Sequence, residues 1–382
     1  MRLLLCLLAL LALPVPQAAL SEVQVPTSRA DISFSFVPVV RATAPAVVNI
    51  YARREVAARR SRFADDPFFR EFFGELPQAR PRMQNSLGSG VIVSPDGLGV
   101  SNYHVVGEAT EIRVVLTDRR ELAARVLLAD EESDLAILQL DTDEDLAHLA
   151  LRDSDTVEVG ELVLAIGNPF GVGQTVSSGI ISGLARSGAL VGNARSYFIQ
   201  TAAAINPGNS GGALVDTEGR LIGVNTSILT RSGGSNGIGF AIPASLVARF
   251  IEQAQEGRSR FARPWAGVSA QAVDPALAEA LGMVAPDGIV MTELQPDSPF
   301  RAAGLARGDV ILAVDGQPVT SPPEMIFRMS VEGVGRSILI DVLRNGVRRP
   351  VEVPMILPPE DPDRDTRVLP DQSVLAGLRV SN

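Results

Sequence analysis

The stretch Pro207-Gly208-Asn209-Ser210-Gly211-Gly212 decides the fold of this 382-residue chain once it is set against the histidines. A serine among glycines suits a tight turn that exposes its hydroxyl, and the small neighbours let backbone N–H groups converge on one point. Such donors stabilise the negative oxygen that forms when a hydroxyl adds to a carbonyl. Two other structures fit the same six residues: a plain Gly-Asn turn between strands, and the G-x-S-x-G elbow of an α/β-hydrolase. An α/β-hydrolase carries its catalytic histidine after the serine. This chain has two histidines, His104 and His148, and both precede Ser210, so a working triad in that fold is excluded.

The order histidine, acid, serine belongs to double β-barrel serine enzymes, and the surrounding sequence agrees with it. From Gly88 to about Pro243 the chain is a series of short runs rich in Val, Ile and Leu, separated by Gly, Asp, Asn and Pro clusters. The runs are 90–94, 112–116, 125–128, 135–140, 162–166, 179–184, 198–202, 213–215 and 221–225. With no long amphipathic helix between them, they predict an all-β barrel or sandwich. A helix over 244–255, opened by Pro243 and ended by Gly257, closes the unit. Upstream, 37–50 reads as extended or mixed apolar sequence.

A composition break at 258–264 precedes a stretch to about Leu357 that mixes strands (288–294, 310–314, 337–344, 347–353) with helices at 275–281 and 321–330. This is a separate small α+β domain. Residues 358–370, rich in Pro and charge, form a linker.

Composition narrows the chemistry. All 34 basic residues are Arg, there is one cysteine, Cys6, and there are two histidines. Lysine nucleophiles are thereby excluded, as is any metal site needing several Cys or three His. The net charge of -10 disfavours a nucleic-acid binder. Met1-Arg2, the 11-residue apolar run Leu3–Leu13, Pro14, Pro16 and the small pair Ala18-Ala19 have the layout of a secretory signal peptide over 1–19. The run is short of the ~20 residues that span a bilayer. Cys6 lies inside that segment, so the exported chain has no thiol chemistry. No cofactor and no metal are expected.

Of the two histidines, His104 lies in Val100-Ser-Asn-Tyr-His-Val-Val106, directly after a Gly-rich strand and turn, and is the candidate base for Ser210. His148, in Asp145-Leu-Ala-His-Leu-Ala150, has nothing reactive beside it and is structural. The third member must be a carboxylate that fixes the imidazole tautomer. Asp134 leads because it begins the apolar run 135–138, and Asp118, Asp130 and Asp141 compete on spacing. Residues 53–82 hold eight Arg, five acids and five Phe. Arg interleaved with aromatics can mean nucleic acid, but the small charge excess favours a long surface loop packing its Phe side chains on a neighbour.

Five segments in order, Gly88-Ser-Gly90, Ser101-Asn-Tyr-His-Val-Val106, Ser133-Asp-Leu-Ala-Ile-Leu138, Ala165-Ile-Gly-Asn-Pro-Phe-Gly171 and Ala204-Ile-Asn-Pro-Gly-Asn-Ser-Gly-Gly-Ala-Leu214, resemble the HtrA (DegP/DegQ/DegS) family of serine endoproteases. The resemblance spans roughly 37–357. It implies a chymotrypsin-like double barrel over 37–258, following an N-terminal segment at 20–36, with a triad of His104, Asp134 and Ser210. It places oxyanion donors on the backbone of Gly208 and Ser210, with Asn209 between them. It further implies ATP-independent cleavage of misfolded proteins in the bacterial envelope by trimers or larger assemblies. The aromatic loop 53–86, with Asp66-Pro-Phe-Phe69, is similar to the family's regulatory loop. Two departures touch regulation: Gln200-Thr-Ala-Ala-Ala204 stands where relatives commonly carry an aspartate, and Tyr103 replaces a smaller or polar neighbour of the histidine.

The second domain, 262–357, resembles a PDZ domain. Trp265-Ala266-Gly267-Val268 matches its carboxylate-binding loop, in which backbone N–H groups face the C-terminus of a peptide added as a strand. Ala266 is smaller than the usual aliphatic. Within the tail 358–382, Leu375-Ala-Gly-Leu-Arg-Val380 is similar to the opening strand of a second such domain. The expected partners are unfolded proteins and hydrophobic peptide C-termini, with no nucleic acid, and the expected compartment is the periplasm. The competing expectations are a regulatory protease anchored to the inner membrane that cuts one signalling substrate, and a chaperone that binds without cleaving.

Overall fold

The computed structural model describes residues 35–56, 82–168, 173–187, 197–206, 208–228, 237–359, 367–368 and 379–380. The expected signal segment and most of the aromatic loop lie outside these residues.

The first six strands are β1 (Val47–Val56), β2 (Arg82–Ile92), β3 (Leu98–Ser101), β4 (Glu111–Val115), β5 (Glu121–Asp130) and β6 (Leu135–Leu140). They close into an antiparallel barrel in the order β1-β2-β3-β6-β5-β4. Strand β4 shows the rule that builds it: Ile112 and Val114 point inward and are buried, while Glu111 and Arg113 between them face water. A second closed barrel, β10-β11-β12-β9-β8-β7, is made from β7 (Leu162–Gly167), β8 (Thr175–Ser187), β9 (Tyr197–Thr201), β10 (Ala213–Val215), β11 (Leu221–Ile228) and β12 (Gly239–Pro243). Closure leaves neither barrel with an open hydrogen-bonding edge. Val91, Val100, Leu135 and Ile137 of the first barrel share one buried cluster with Leu164, Ile166, Val215 and Val224 of the second. The two barrels therefore pack as one body, and the cleft between them is where residues from both can meet.

Residues 37–46 differ from the extended reading, whereas 47–50 open β1. Val37–Thr43 form a helix, α1, followed by a 3₁₀ turn at Ala44–Ala46 before β1 begins. Pro38 sits in the first turn, where its missing N–H costs nothing. Val39 and Thr43, one turn apart, are buried together, and the Thr43 hydroxyl donates to the Val39 carbonyl at 2.8 Å. The β-branched composition favours an extended chain, and packing overrides it. Strand β12 runs from Gly239 to Pro243 and was not among the runs read from the sequence.

Helix α2 (Tyr103–Val106) follows β3, and helix α3 (Ala244–Gln255) follows β12. Leu246, Val247, Phe250 and Ala254 bury one face of α3 at the spacing an amphipathic helix requires. The linker after it is docked: Phe261 stacks on Phe250 at 4.0 Å between ring centres. Arg263 Nη1 bonds Asp130 Oδ1 at 3.0 Å.

The C-terminal domain has one sheet ordered β13-β14-β15-β17-β18, from β13 (Val268–Ala272), β14 (Ile289–Leu294), β15 (Val310–Val314), β17 (Ser337–Arg344) and β18 (Val347–Pro354), with the short β16 (Gln317–Pro318) paired to β15. Helices α4 (Pro275–Ala280), α5 (Pro299–Ala302) and α6 (Pro322–Glu332) complete it. Phe300, Met325, Met329 and Ile340 lie in its core. Helix α6 also faces the second barrel, where Phe327 stacks on Tyr197 at 4.0 Å and 8°. In the tail, only Arg367–Val368 pairing with Arg379–Val380 is described.

Candidate active site

Three connections converge between the barrels. After β3, Asn102 turns the chain into α2, whose Val105 and Val106 are buried and leave the His104 side chain half-exposed. The β5–β6 turn brings Asp134 opposite it. Asp134 adopts φ +53°, a left-handed conformation that aspartate tolerates better than most residues. The turn is tied at both ends, Asp134 N–H donating to the Glu131 carbonyl at 3.2 Å and Asn102 Nδ2 donating to the Asp134 carbonyl at 3.0 Å.

The Asp134 carboxylate gathers three donors. His104 Nδ1 lies 2.9 Å from each carboxylate oxygen, and the His104 backbone N–H donates to Oδ1 at 3.0 Å. The Thr226 hydroxyl, from β11, donates to Oδ2 at 2.6 Å. A carboxylate on Nδ1 keeps the proton there and leaves Nε2 as the basic nitrogen, pointing away from Asp134. Thr226 was not singled out from sequence. The polar run Asn225-Thr226-Ser227 inside β11 was the available signal.

Ser210 comes from the second barrel. Gly208 and Gly211 flank it at φ +96° and +83°, which a side chain would strain. A Cβ on Gly211 would meet the Ser89 carbonyl oxygen at 2.1 Å. No hydrogen bond from the N–H groups of Gly208 and Ser210 occurs among the described residues. The Asn209 N–H is engaged by the Asn206 carbonyl at 2.9 Å, and its buried Oδ1 accepts from Thr175 Oγ1 at 2.8 Å. Asn209 thus supports the turn. The Ser210 hydroxyl donates to the Thr226 carbonyl at 2.9 Å, and no hydrogen bond joins it to His104 among the described residues.

The remaining candidates fall elsewhere. His148 is exposed, its Nδ1 3.1 Å from the Leu146 carbonyl. Asp118 pairs with Arg120 and Asp130 with Arg263, and Asp141 lies exposed after β6. No His, Cys, Asp and Glu cluster able to hold a metal occurs among the described residues, and no helix of theirs is long and apolar enough to cross a membrane.

In the second domain, Trp265 N–H donates to the Ile356 carbonyl at 2.8 Å, and the Ala266 carbonyl accepts the Ser298 hydroxyl at 2.6 Å. Gly267 has φ +61°, and its carbonyl accepts the Gln295 N–H at 2.8 Å. Strand β13, which follows, pairs only with β14 in the sheet order, so its outer edge can accept an added strand.

Residues 88–224 match the trypsin-like peptidase domain family, and 264–355 match the PDZ domain family. A Halomonas elongata protein named probable periplasmic serine endoprotease DegP-like is 43% identical over 337 residues, spanning 83% of this chain and 70% of its own length. A protein of the same name from Pseudomonas fulva is 40% identical over 350 residues, spanning 87% and 72%. Among solved structures, the HtrA-type protease AlgW with decapeptide aligns at TM-score 0.61 and 43% identity over 85% of this chain and 99% of that one. The serine endoprotease from Yersinia pestis aligns at 0.51 and 34%, over 88% and 100%.

Proposed function

Because the chain belongs to the HtrA/DegP-like family of serine endoproteases with a PDZ domain, we propose that its peptide-bond hydrolysis runs through His104, Asp134 and Ser210 and serves the removal of misfolded proteins in the periplasm. The observation that carries the triad is the Asp134 carboxylate, which holds His104 Nδ1 at 2.9 Å beside the Ser210 turn.

The proposed steps are those of a serine triad. The Ser210 hydroxyl leaves the Thr226 carbonyl by side-chain rotation and turns to His104 Nε2. His104 takes its proton as Oγ adds to the substrate carbonyl, and Asp134 stabilises the imidazolium that results. The new oxyanion is received by the N–H groups of Gly208 and Ser210. His104 then protonates the leaving amine, and water activated by the same imidazole hydrolyses the acyl-enzyme. The PDZ domain supplies a strand edge at β13 and the Trp265–Val268 loop for hydrophobic C-termini of unfolded chains. The names of the relatives support the periplasmic assignment. The test incubates the mature protein with unfolded casein beside Ser210→Ala. Hydrolysis by the parent alone is expected, and equal hydrolysis by both would sink the assignment.

One observation favours a second reading, a protease switched on by peptide to cut a specific substrate: the Ser210 hydroxyl is bonded to Thr226 rather than His104. Fluorophosphonate labelling of Ser210 separates the two. Labelling that rises with an added hydrophobic C-terminal peptide supports the switched enzyme, and labelling that peptide leaves unchanged supports constitutive quality control.

A further inference from the structure

We infer that Ser89, a residue of the first barrel, is a positioning residue for the oxyanion hole of the second. The inference rests on the serine-triad reading above and adds to it a side chain that lies outside the triad and the donor set.

Ser89 sits in β2 and is fully buried. Its hydroxyl donates to the Gly208 carbonyl at 2.7 Å and accepts the Asn168 N–H at 2.8 Å. Its backbone N–H donates to the Ser210 carbonyl at 2.9 Å. Its own carbonyl is held by the buried Ser101 hydroxyl at 2.8 Å, so the gripping residue is itself fixed.

The two carbonyls it grips belong to the peptide planes on either side of the one that carries the Ser210 N–H. The Gly208–Asn209 peptide plane is pinned on one side by Ser89 Oγ and on the other by the Asn206 carbonyl, which accepts the Asn209 N–H. The Ser210–Gly211 plane is pinned by the Ser89 N–H and by the Asn225 carbonyl, which accepts the Gly211 N–H at 2.8 Å. The plane between them carries the Ser210 N–H, and its own carbonyl, that of Asn209, accepts the Gly212 N–H at 2.9 Å. Gly208, at φ +96°, has the backbone freedom of glycine, and the Ser89 hydroxyl removes the rotation about its ψ. The plane that carries the Ser210 N–H is therefore fixed by its own carbonyl and by held planes on both sides. A hole preorganised in this way needs no rearrangement when charge develops, and that property is what gives such donors their catalytic value. Removing the hydroxyl leaves the Gly208 carbonyl and the Asn168 N–H without their partner and returns one rotation to the turn.

The experiment compares Ser89→Ala with the parent on a peptide amide, with rates expressed per active site titrated by fluorophosphonate. It adds the affinity of a peptide boronic acid, whose tetrahedral adduct on Ser210 places an oxygen in the hole, and that of the matching uncharged peptide amide. Loss of an oxyanion donor costs roughly 10²–10³ in kcat; disordering one rather than deleting it predicts about a tenfold fall. KM and peptide-amide affinity should hold, with boronate affinity falling in parallel with kcat. A kcat and boronate affinity that stay within about twofold, or a change confined to KM, overturns the inference. If Ser89→Ala does not fold, Ser89→Gly, which likewise removes the hydroxyl, is read by the same criteria. Titration of the parent checks the triad itself: a parent that neither labels at Ser210 nor hydrolyses the amide defeats the triad reading, whereas a labelled, active parent with an indifferent variant defeats only the role of Ser89.

Discussion

Two glycine turns in this molecule, the proposed oxyanion turn and the proposed carboxylate loop, are held differently. The turn around Ser210 takes its hydrogen bonds from both barrels: Ser89 from the first, Asn206, Thr175 and Asn225 from the second. The Trp265–Val268 turn is held within its own domain, by Ser298, Gln295 and Ile356. The space around the glycines differs likewise. A Cβ on Gly211 would strike a backbone carbonyl at 2.1 Å, whereas a Cβ on Gly267 would meet the outer edge of the Trp265 ring at 2.7 Å. A backbone atom inside a closed barrel cannot yield, and a ring on a half-buried side chain can. The lesson is that a site for charge that exists only in a transition state must be rigid before the reaction begins, while a site for a resting carboxylate can adjust as its ligand arrives.

The largest expected effect strikes the rigid side of this comparison. Asp134→Asn should keep the fold and lower kcat by about 10⁴-fold, because the amide no longer enforces the Nδ1–H tautomer of His104. Rates per folded protein on a peptide amide check it, and a fall of less than about 10² would remove Asp134 from the triad. Next comes Gly211→Ala, where the left-handed φ alone costs about 1–3 kcal/mol and the carbonyl clash adds to it. Reduced thermal stability together with lost fluorophosphonate labelling is expected, and full labelling would show that the turn yields after all.

Gly267→Ala tests the adaptable side. Strain of about 1–2 kcal/mol, partly relieved by movement of the Trp265 ring, predicts a weakening of C-terminal peptide binding by about tenfold. Fluorescence titration of Trp265 measures it, and the change should exceed any in peptide-amide hydrolysis.

The smallest effect concerns the second barrel's rim. Arg152 bonds Glu161 through both Nη atoms, at 2.7 and 3.1 Å, and also reaches the buried Asp216. Burial pushes the Glu161 carboxyl up, but the Arg152 hydrogen bonds, the Glu158 N–H and the nearby guanidinium charges outweigh it and hold the group below its ordinary value of 4.5. A lowered folded-state value stabilises the fold above the ordinary value, and that contribution disappears as pH falls through the lowered one. Melting temperature followed downward from neutral pH should drop through this window, and Arg152→Met should flatten that part of the curve.

Much of the fold was legible because its signals are local. The runs 135–140 and 213–215 and the helix 244–255 coincide with β6, β10 and α3, since apolar periodicity and flanking breakers are properties of the segment itself. Helix α1 was not legible, because Val39 and Thr43 become helical only through what they pack against. At the site, Ser210 and His104 stood out through residue type, neighbours and order, whereas Asp134 needed family resemblance to separate it from Asp118, Asp130 and Asp141. Thr226 escaped notice, since a polar residue in a strand does not say that its hydroxyl reaches a carboxylate 92 positions away.

The amino-acid sequence by itself determined the chemistry open to this protein: without lysine, and with both histidines ahead of the serine, a single type of serine triad remained. The tertiary structure alone decided how that chemistry is poised, with the Ser210 hydroxyl on the Thr226 carbonyl, the Asp134 carboxylate shared between His104 and Thr226, and the Gly208 carbonyl gripped by Ser89. The reason is physical. Which groups can react is a matter of residue type, but which hydrogen bonds they make across two barrels depends on long-range register, and no stretch of chain carries that information on its own.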